Sequence, residues 1–189
     1  MVAKEGIKRG SSRVIATPLL ALLVACCLAS PAIAAAQSAE VQSARKFVKE
    51  FYAGYVQRSL SESAKSPMEQ ELKRAPSRFA PTLLRALQAD LLASSKSPDE
   101  IVGLDFDPFL NTQESFSHSS VVKVVRKGGS YFAGVALDKS NQPSVVAELE
   151  RHQGNWRFVN FHYPDGPDLL SLLRSLSLDR KKSGAGKGG

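Results

Sequence analysis

Between Ser119 and Tyr163, four apolar-rich segments follow one another with breaks too short for a crossover, and this most constrains the fold. The segments are Ser119–Lys127, Tyr131–Asp138, Ser144–His152 and Trp156–Tyr163. They are separated by Gly128-Gly129-Ser130, by the stretch from Lys139 to Pro143, and by Gln153-Gly154-Asn155. β-Branched and aromatic runs bounded by Gly, Pro, Asn and Ser read as strands. A parallel connection needs about a dozen residues, so these neighbours are antiparallel and a four-stranded meander is the economical topology. On the third segment Val145, Ala147 and Leu149 share one face, while Val146, Glu148, Glu150 and His152 share the other. That alternation predicts a half-exposed strand. The fourth segment is apolar on both faces, with Val159, Phe161 and Tyr163 on one and Trp156 and Phe158 on the other. It therefore predicts a central or curved strand covered on both sides.

Helical periodicity precedes the strands. From about Val41 to Leu60, Val41, Ala44, Val48, Phe51, Tyr52, Tyr55 and Val56 recur at three and four, giving one apolar stripe. Pro67 to Leu72 suggests a short helix with proline in its first turn. A stronger helix is expected from about Ser77 to Ala93, with Leu83, Leu84, Leu87, Leu91 and Leu92 in register; alternatively Pro81 marks its true start. After the strands, Asp168 to Leu178 predicts a closing helix. The tail RKKSGAGKGG, residues 180–189, is polar and Gly-rich and is expected to be disordered. Helices, then a meander, then a helix make an α+β domain over residues 37–179, with the helices packed on one face of the sheet.

The first 36 residues read as an export signal. Lys4, Lys8, Arg9 and Arg13 form a basic start, and from Val14 to Ala39 there is no charged side chain. VIATPLLALLVACCL is the apolar stretch, followed by Pro31 and the run AIAAA. A helix-breaking proline ahead of small residues suits cleavage after Ala34 or Ala36. Two other readings stand beside it. Leu23-Val24-Ala25-Cys26 looks like a lipobox that would place lipid on Cys26, and an uncleaved segment would serve as an anchor. All three put the domain on the far side of the membrane, in the periplasm, because the basic flank stays inside. Cys26 and Cys27 are the chain's two cysteines, and cleavage would remove both. The mature domain would then have neither disulfide nor thiol nucleophile, and core packing alone would hold it together.

The formal charge of +7 comes from the ends of the chain. Residues 1–36 contribute +3 and the tail from Arg180 contributes +4, leaving 37–179 neutral. A nucleic-acid-binding face needs Lys and Arg clustered on a folded surface, so none is expected.

Between Ala93 and Phe116 lies a long connection rich in Ser, Pro, Asp and Asn. Its stretch VGLDFDPFLN, Val102 to Asn111, resembles the signature of a bacterial family of exported or lipid-anchored proteins known only as a domain of unknown function. The early FVKEFYAGY helix and the late Gly154-Asn155-Trp156 strand with Tyr163 extend the likeness over about residues 40–178. The resemblance implies a nuclear-transport-factor-two-like, or cystatin-like, fold: a curved antiparallel sheet wrapped around helices into a cone with room for a pocket. It implies no activity.

Candidate ligand-binding residues are weighed one cluster at a time. Asp105, Asp107, Asn111 and Glu114 invite a calcium reading, since hard cations want clustered oxygens. EF-hand spacing fails, however: Phe109 occupies the fifth position and Phe116 the twelfth. The alternative is that Asp105 and Asp107 pin the loop through backbone N–H groups while Phe106, Phe109 and Leu110 dock it on the core. Tyr52 and Tyr55 lie on the buried stripe, so their hydroxyls need a partner or a pocket rim. By strict alternation His162 shares a strand face with Trp156, Phe158 and Asn160, a set that could line a small-ligand site. His118, His152 and His162 are not at metal-ligand spacing, no Gly-x-Ser-x-Gly elbow is present, and Gly128-Gly129 reads as a hairpin turn. No cofactor is called for. The leading expectation is a non-enzymatic binding protein for a protein partner or a small apolar ligand. Its rivals are a pocket enzyme of the isomerase or dehydratase kind, by fold analogy alone, and an inhibitor or immunity protein presenting the DFDPFLN loop to a secreted toxin.

Overall fold

The computed structural model describes residues 31–61, 63, 65–97 and 102–185. The basic start, the apolar stretch and both cysteines of the expected export signal lie outside them.

Helix α1 spans Pro31–Ser59, so the expected cleavage points at Ala34 and Ala36 fall in its first turns. Its predicted stripe is the buried one: Ala44, Val48, Phe51, Tyr52, Tyr55 and Val56 are all closed to solvent. Helix α2, Pro67–Arg74, starts where Ser66 Oγ accepts the Glu69 N–H, with Pro67 following the cap. A single 3₁₀ turn, Pro76–Arg78, separates it from α3, Pro81–Lys96. Pro81 is thus the start of α3, as its missing N–H and fixed φ favour.

The strands are β1 (Ser119–Lys127), β2 (Ser130–Leu137), β3 (Val145–His152) and β4 (Asn155–His162). They form the expected antiparallel sheet in the order β1-β2-β3-β4. Lys127 pairs with Ser130 and His152 with Asn155, so two-residue loops close both of these hairpins. Gly128 at φ 62° and the Gln153-Gly154 pair at 49° and 84° supply the left-handed backbone that such loops require. The N–H of Ala80 donates to the Phe158 carbonyl at 2.7 Å, covering part of the β4 edge with the start of α3.

Two bulges alter the faces read from the sequence. Val122 is the extra residue between the Val121–Val135 and Lys123–Gly134 pairs. Val159 is the extra residue between Phe158–Leu149 and Asn160–Glu148. A bulge bends its strand and shifts the alternation by one residue. Beyond Val159 the parity of β4 therefore reverses, and Trp156, Phe158 and Phe161 all face the helices. The expectation of a strand apolar on both faces is corrected accordingly: β4 has one apolar face, and Asn160 and His162 lie half-buried on the other.

One interior lies between helices and sheet. Phe51 meets Phe158 with ring centroids 4.6 Å apart, Phe109 meets Phe161 at 4.9 Å, and Phe79 stacks on Phe109 at 5.5 Å. These rings, with Leu83, Leu87, Leu149 and Leu169, fill the space that a cone-shaped pocket would need. Each buried side chain of this size contributes about 1.5–3 kcal/mol of hydrophobic stabilisation.

Helix α4 runs from Leu169 to Ala185, well past the expected end at Leu178. The tail thus begins as helix rather than as disordered chain, and Arg180 ties it to the rest of the fold. Its guanidinium Nη1 donates to Asp90 Oδ1 and to the Val102 carbonyl, each at 2.7 Å. Asp90 on α3 is 2 % exposed, and its Oδ2 accepts the Leu104 N–H at 2.9 Å. Gly103 fits beside this pair because a Cβ there would stand 2.3 Å from Ser94 Oγ and 2.8 Å from Asp90 Oδ2. A second buried carboxylate, Glu71 on α2, is held by Arg58, Arg74 and Arg78. Among the described residues no helix is long and apolar enough to cross a membrane.

Candidate functional site

Tyr52, Tyr55 and Asp107 come together, as does Tyr163. The Tyr55 hydroxyl donates to Asp107 Oδ2 at 2.6 Å, while Tyr52 donates to the Phe109 carbonyl at 2.7 Å. Tyr163 donates to the Pro108 carbonyl at 3.1 Å. The other Asp107 oxygen accepts the N–H groups of Phe109 and Leu110 at 2.9 and 3.2 Å. The Asp107 backbone closes the loop by bonding with Thr112 and Asn111, each at 2.8 Å. Asn111 sits at φ 56°, a left-handed conformation that asparagine tolerates, and its Nδ2 donates to the Ser144 carbonyl at 3.1 Å. The DFDPFLN loop is thereby fixed to α1, to the end of β4 and to the start of β3.

The electrostatics of this clamp follow from its dryness. Burial pushes the Tyr52 and Tyr55 hydroxyls well above the usual tyrosine range, with Asp107 adding to the effect, so both stay neutral donors. Burial also raises Asp107, and the bonds from Tyr55, Phe109 and Leu110 oppose that rise. Both Asp107 carboxylate oxygens accept bonds from within the fold, so it acts as a structural pin. Asp105 is exposed and Asp107 half-buried on the wall of one depression of about 750 Å³, which Phe106 and Glu114 also line. Of the two loop aspartates expected to pin the loop, only Asp107 accepts backbone N–H groups among the described residues. Among the described residues no group of His, Cys, Asp and Glu is arranged to hold a metal ion.

Trp156 and His162 do not share a site, which corrects the common face assigned to them. The bulge at Val159 separates them. His162 Nε2 lies 2.9 Å from Glu148 Oε2, beside the Phe132 ring, on the half-buried outer face of the sheet. Trp156 lies on the helix side. Its Nε1–H donates to Ser43 Oγ at 2.9 Å, and its ring meets Tyr131 edge-on at 4.8 Å. Arg151 stacks above it, with Cζ 5.8 Å from the ring centre. The Tyr131 hydroxyl bonds Glu40, and with Arg126 and Arg151 nearby it holds that carboxyl below the usual range.

Trp156 also borders a surface groove of about 790 Å³ between α1, the turn leading into α3 and the β3–β4 hairpin. Phe47, Phe79 and Leu84 line it with Trp156, together with Lys46 and Arg157. Lys46 is paired with Glu50, Arg157 with Glu150, and Arg78, also on the groove wall, with Glu71, which leaves the groove amphipathic rather than strongly charged.

Sequence reasoning missed Asp90, Glu71 and their arginines. A signal was present for the acids: Asp90 follows Leu83 and Leu87 on one helical stripe, and Glu71 sits between Met68 and Leu72 on another. An acid where the period demands an apolar residue implies a buried partner. Set against models of protein families, curated protein sequences and solved structures, the chain matches none.

Proposed function

We propose that this is an exported, non-enzymatic binding protein that works in the periplasm from its outer surface, with a protein as its partner. The observation that carries the reading is the filled interior beside a groove whose aromatic wall is assembled from three separate elements. Small-molecule sites enclose most of their ligand. A groove open along the surface suits a protein side chain or helix instead, and aromatic anchors such as Trp156 are typical of interface centres. The isomerase-like alternative needs an acid or base facing a dry cavity. Aromatic side chains fill that space here, and Asp107 is already engaged with the loop. Export rests on the basic and apolar pattern of residues 1–36, and the likeness to an exported family on the DFDPFLN stretch.

The test uses a photo-crosslinking amino acid at Ser77, in the groove, with Lys139, in the β2–β3 connection, as the control position. The expected result is a discrete adduct from Ser77 alone, lost with Phe47→Glu. Identical adducts from both positions would contradict a groove-specific partner. A reporter fused after Gly189 tests export, and palmitate labelling of wild type against Cys26→Ser distinguishes a lipid anchor from simple cleavage.

A further inference from the structure

We propose that Arg58, Arg74 and Arg78 form a binding site for a doubly charged phosphate group. The three guanidiniums come from the end of α1, the end of α2 and the turn before α3, and they meet at Glu71. Glu71 Oε2 accepts from Arg58 and, at 2.9 Å, from Arg74; Oε1 accepts from Arg78 at 2.9 Å. Among the described residues, one buried carboxylate thus faces three cations, leaving an excess of two positive charges.

A carboxylate hub that only tied the helices together would need one arginine, or two. The third adds like-charge repulsion, and among the described residues Glu71 is the one carboxylate paired with these arginines. Burial lowers the proton affinity of Arg58, Glu71 partly restores it, and Arg74 and Arg78 lower it again. In addition, Arg58 Nε is buried with no hydrogen-bond partner among the described residues. Buried donors are nearly always satisfied, and a charged one left over is costly. Meanwhile the Arg74 and Arg78 side chains are 53 % and 30 % exposed, so part of each fork faces solvent. Guanidinium forks match the oxygens of phosphate in pairs. A phosphate group carries about −1.5 to −2 charges at neutral pH, which offsets this excess. The group could belong to free phosphate or to a phosphate monoester. Arg78 also borders the groove proposed above for a protein partner, so the two sites adjoin, while Arg58 and Arg74 are not among the residues that line that groove.

The experiment titrates the full chain with inorganic phosphate, and separately with glycerol 3-phosphate, at ionic strength held constant with sodium chloride. The arginine Nε–Hε resonances are followed by NMR. Saturable shifts at Arg58, Arg74 and Arg78 are expected. Arg74→Gln should weaken binding roughly ten- to a hundredfold, as loss of one charge-assisted hydrogen bond does. Arg85→Gln, the same charge change at an exposed position of α3, should leave it unchanged. Binding of both probes supports a site open to phosphate monoesters, and binding of inorganic phosphate alone supports one that takes only the free ion. Shifts that rise linearly and match those in chloride overturn the proposal, as do saturable shifts that persist unchanged in Arg74→Gln. Dispersed strand amide signals establish that the variants are folded.

Discussion

Tyr55 on α1 and Asp107 in the long loop are joined by a 2.6 Å hydrogen bond across 52 residues of chain. The bond is the centre of a clamp in which one carboxylate satisfies a tyrosine and two backbone N–H groups at once. Asp107→Ala leaves the Tyr55 hydroxyl and the Phe109 N–H without an acceptor, while the Leu110 N–H keeps the Asp107 carbonyl, and is expected to cost about 2–4 kcal/mol. Asp107→Asn keeps an acceptor for the N–H groups and should cost about 1 kcal/mol. Urea unfolding checks both.

The same residue sets a pH dependence. Burial raises Asp107 in the folded state, so the native protein holds its proton more tightly than the unfolded chain. This contribution to stability is complete below the ordinary carboxylate range and is lost as pH rises through the raised folded value. Asp107→Asn should remove it, flattening that part of the stability profile.

Asp168 has the opposite sign. Partial burial pushes it up, but the bonds from Asn160 and Ser171 prevail and hold it at about 2. Its stabilisation is present above the unfolded value near 3.8 and disappears as pH falls toward 2. Because the group is largely solvated, screening reduces this to about 1 kcal/mol or less. In Asp168→Asn the decline between those two pH values should be shallower, as followed by circular dichroism.

Arg180 secures Asp90, which is 2 % exposed. Arg180→Ala strands a buried carboxylate and is expected to cost about 3 kcal/mol, whereas Lys181→Ala, one residue on, should change little. Gly103→Ala should cost about 1–3 kcal/mol, since Asp90 and Ser94 would have to move aside. Thermal unfolding reads all three.

Core and outer face should respond differently to truncation. Phe109→Ala removes a fully buried ring in contact with Phe51, Phe79 and Phe161, for about 3–5 kcal/mol. Phe132, half-buried beside His162, should cost about 1 kcal/mol when changed to Ala.

Much of this architecture is legible in the residues alone. The apolar runs and turn residues bracket each strand within a residue of where it lies, because short hairpins leave little freedom in register. The stripe of α1 is equally plain. The faces of β4 are not, because one extra residue at Val159 inverts the alternation and no composition signal marks it. Strict period-two alternation puts Trp156 and His162 on one face, and that bulge parts them. Asp107 and Asp105 read alike in the sequence, yet only Asp107 lies within reach of Tyr55, a distance that local pattern does not encode. The tail illustrates a third reason. Lys, Arg and Gly suggest disorder, and only a partner 90 positions earlier makes Arg180 part of the fold.

Backbone hydrogen exchange at Leu110 and Asn111 tests most directly whether this long loop is bonded into a filled interior. Both amides donate to Asp107, the residue that Tyr55 holds in place. The structure requires their protection to approach that of the β2 amides, vanishing only with global unfolding. Exchange within seconds under native conditions, while β2 remains protected, would mean that the loop moves independently and that the clamp does not exist.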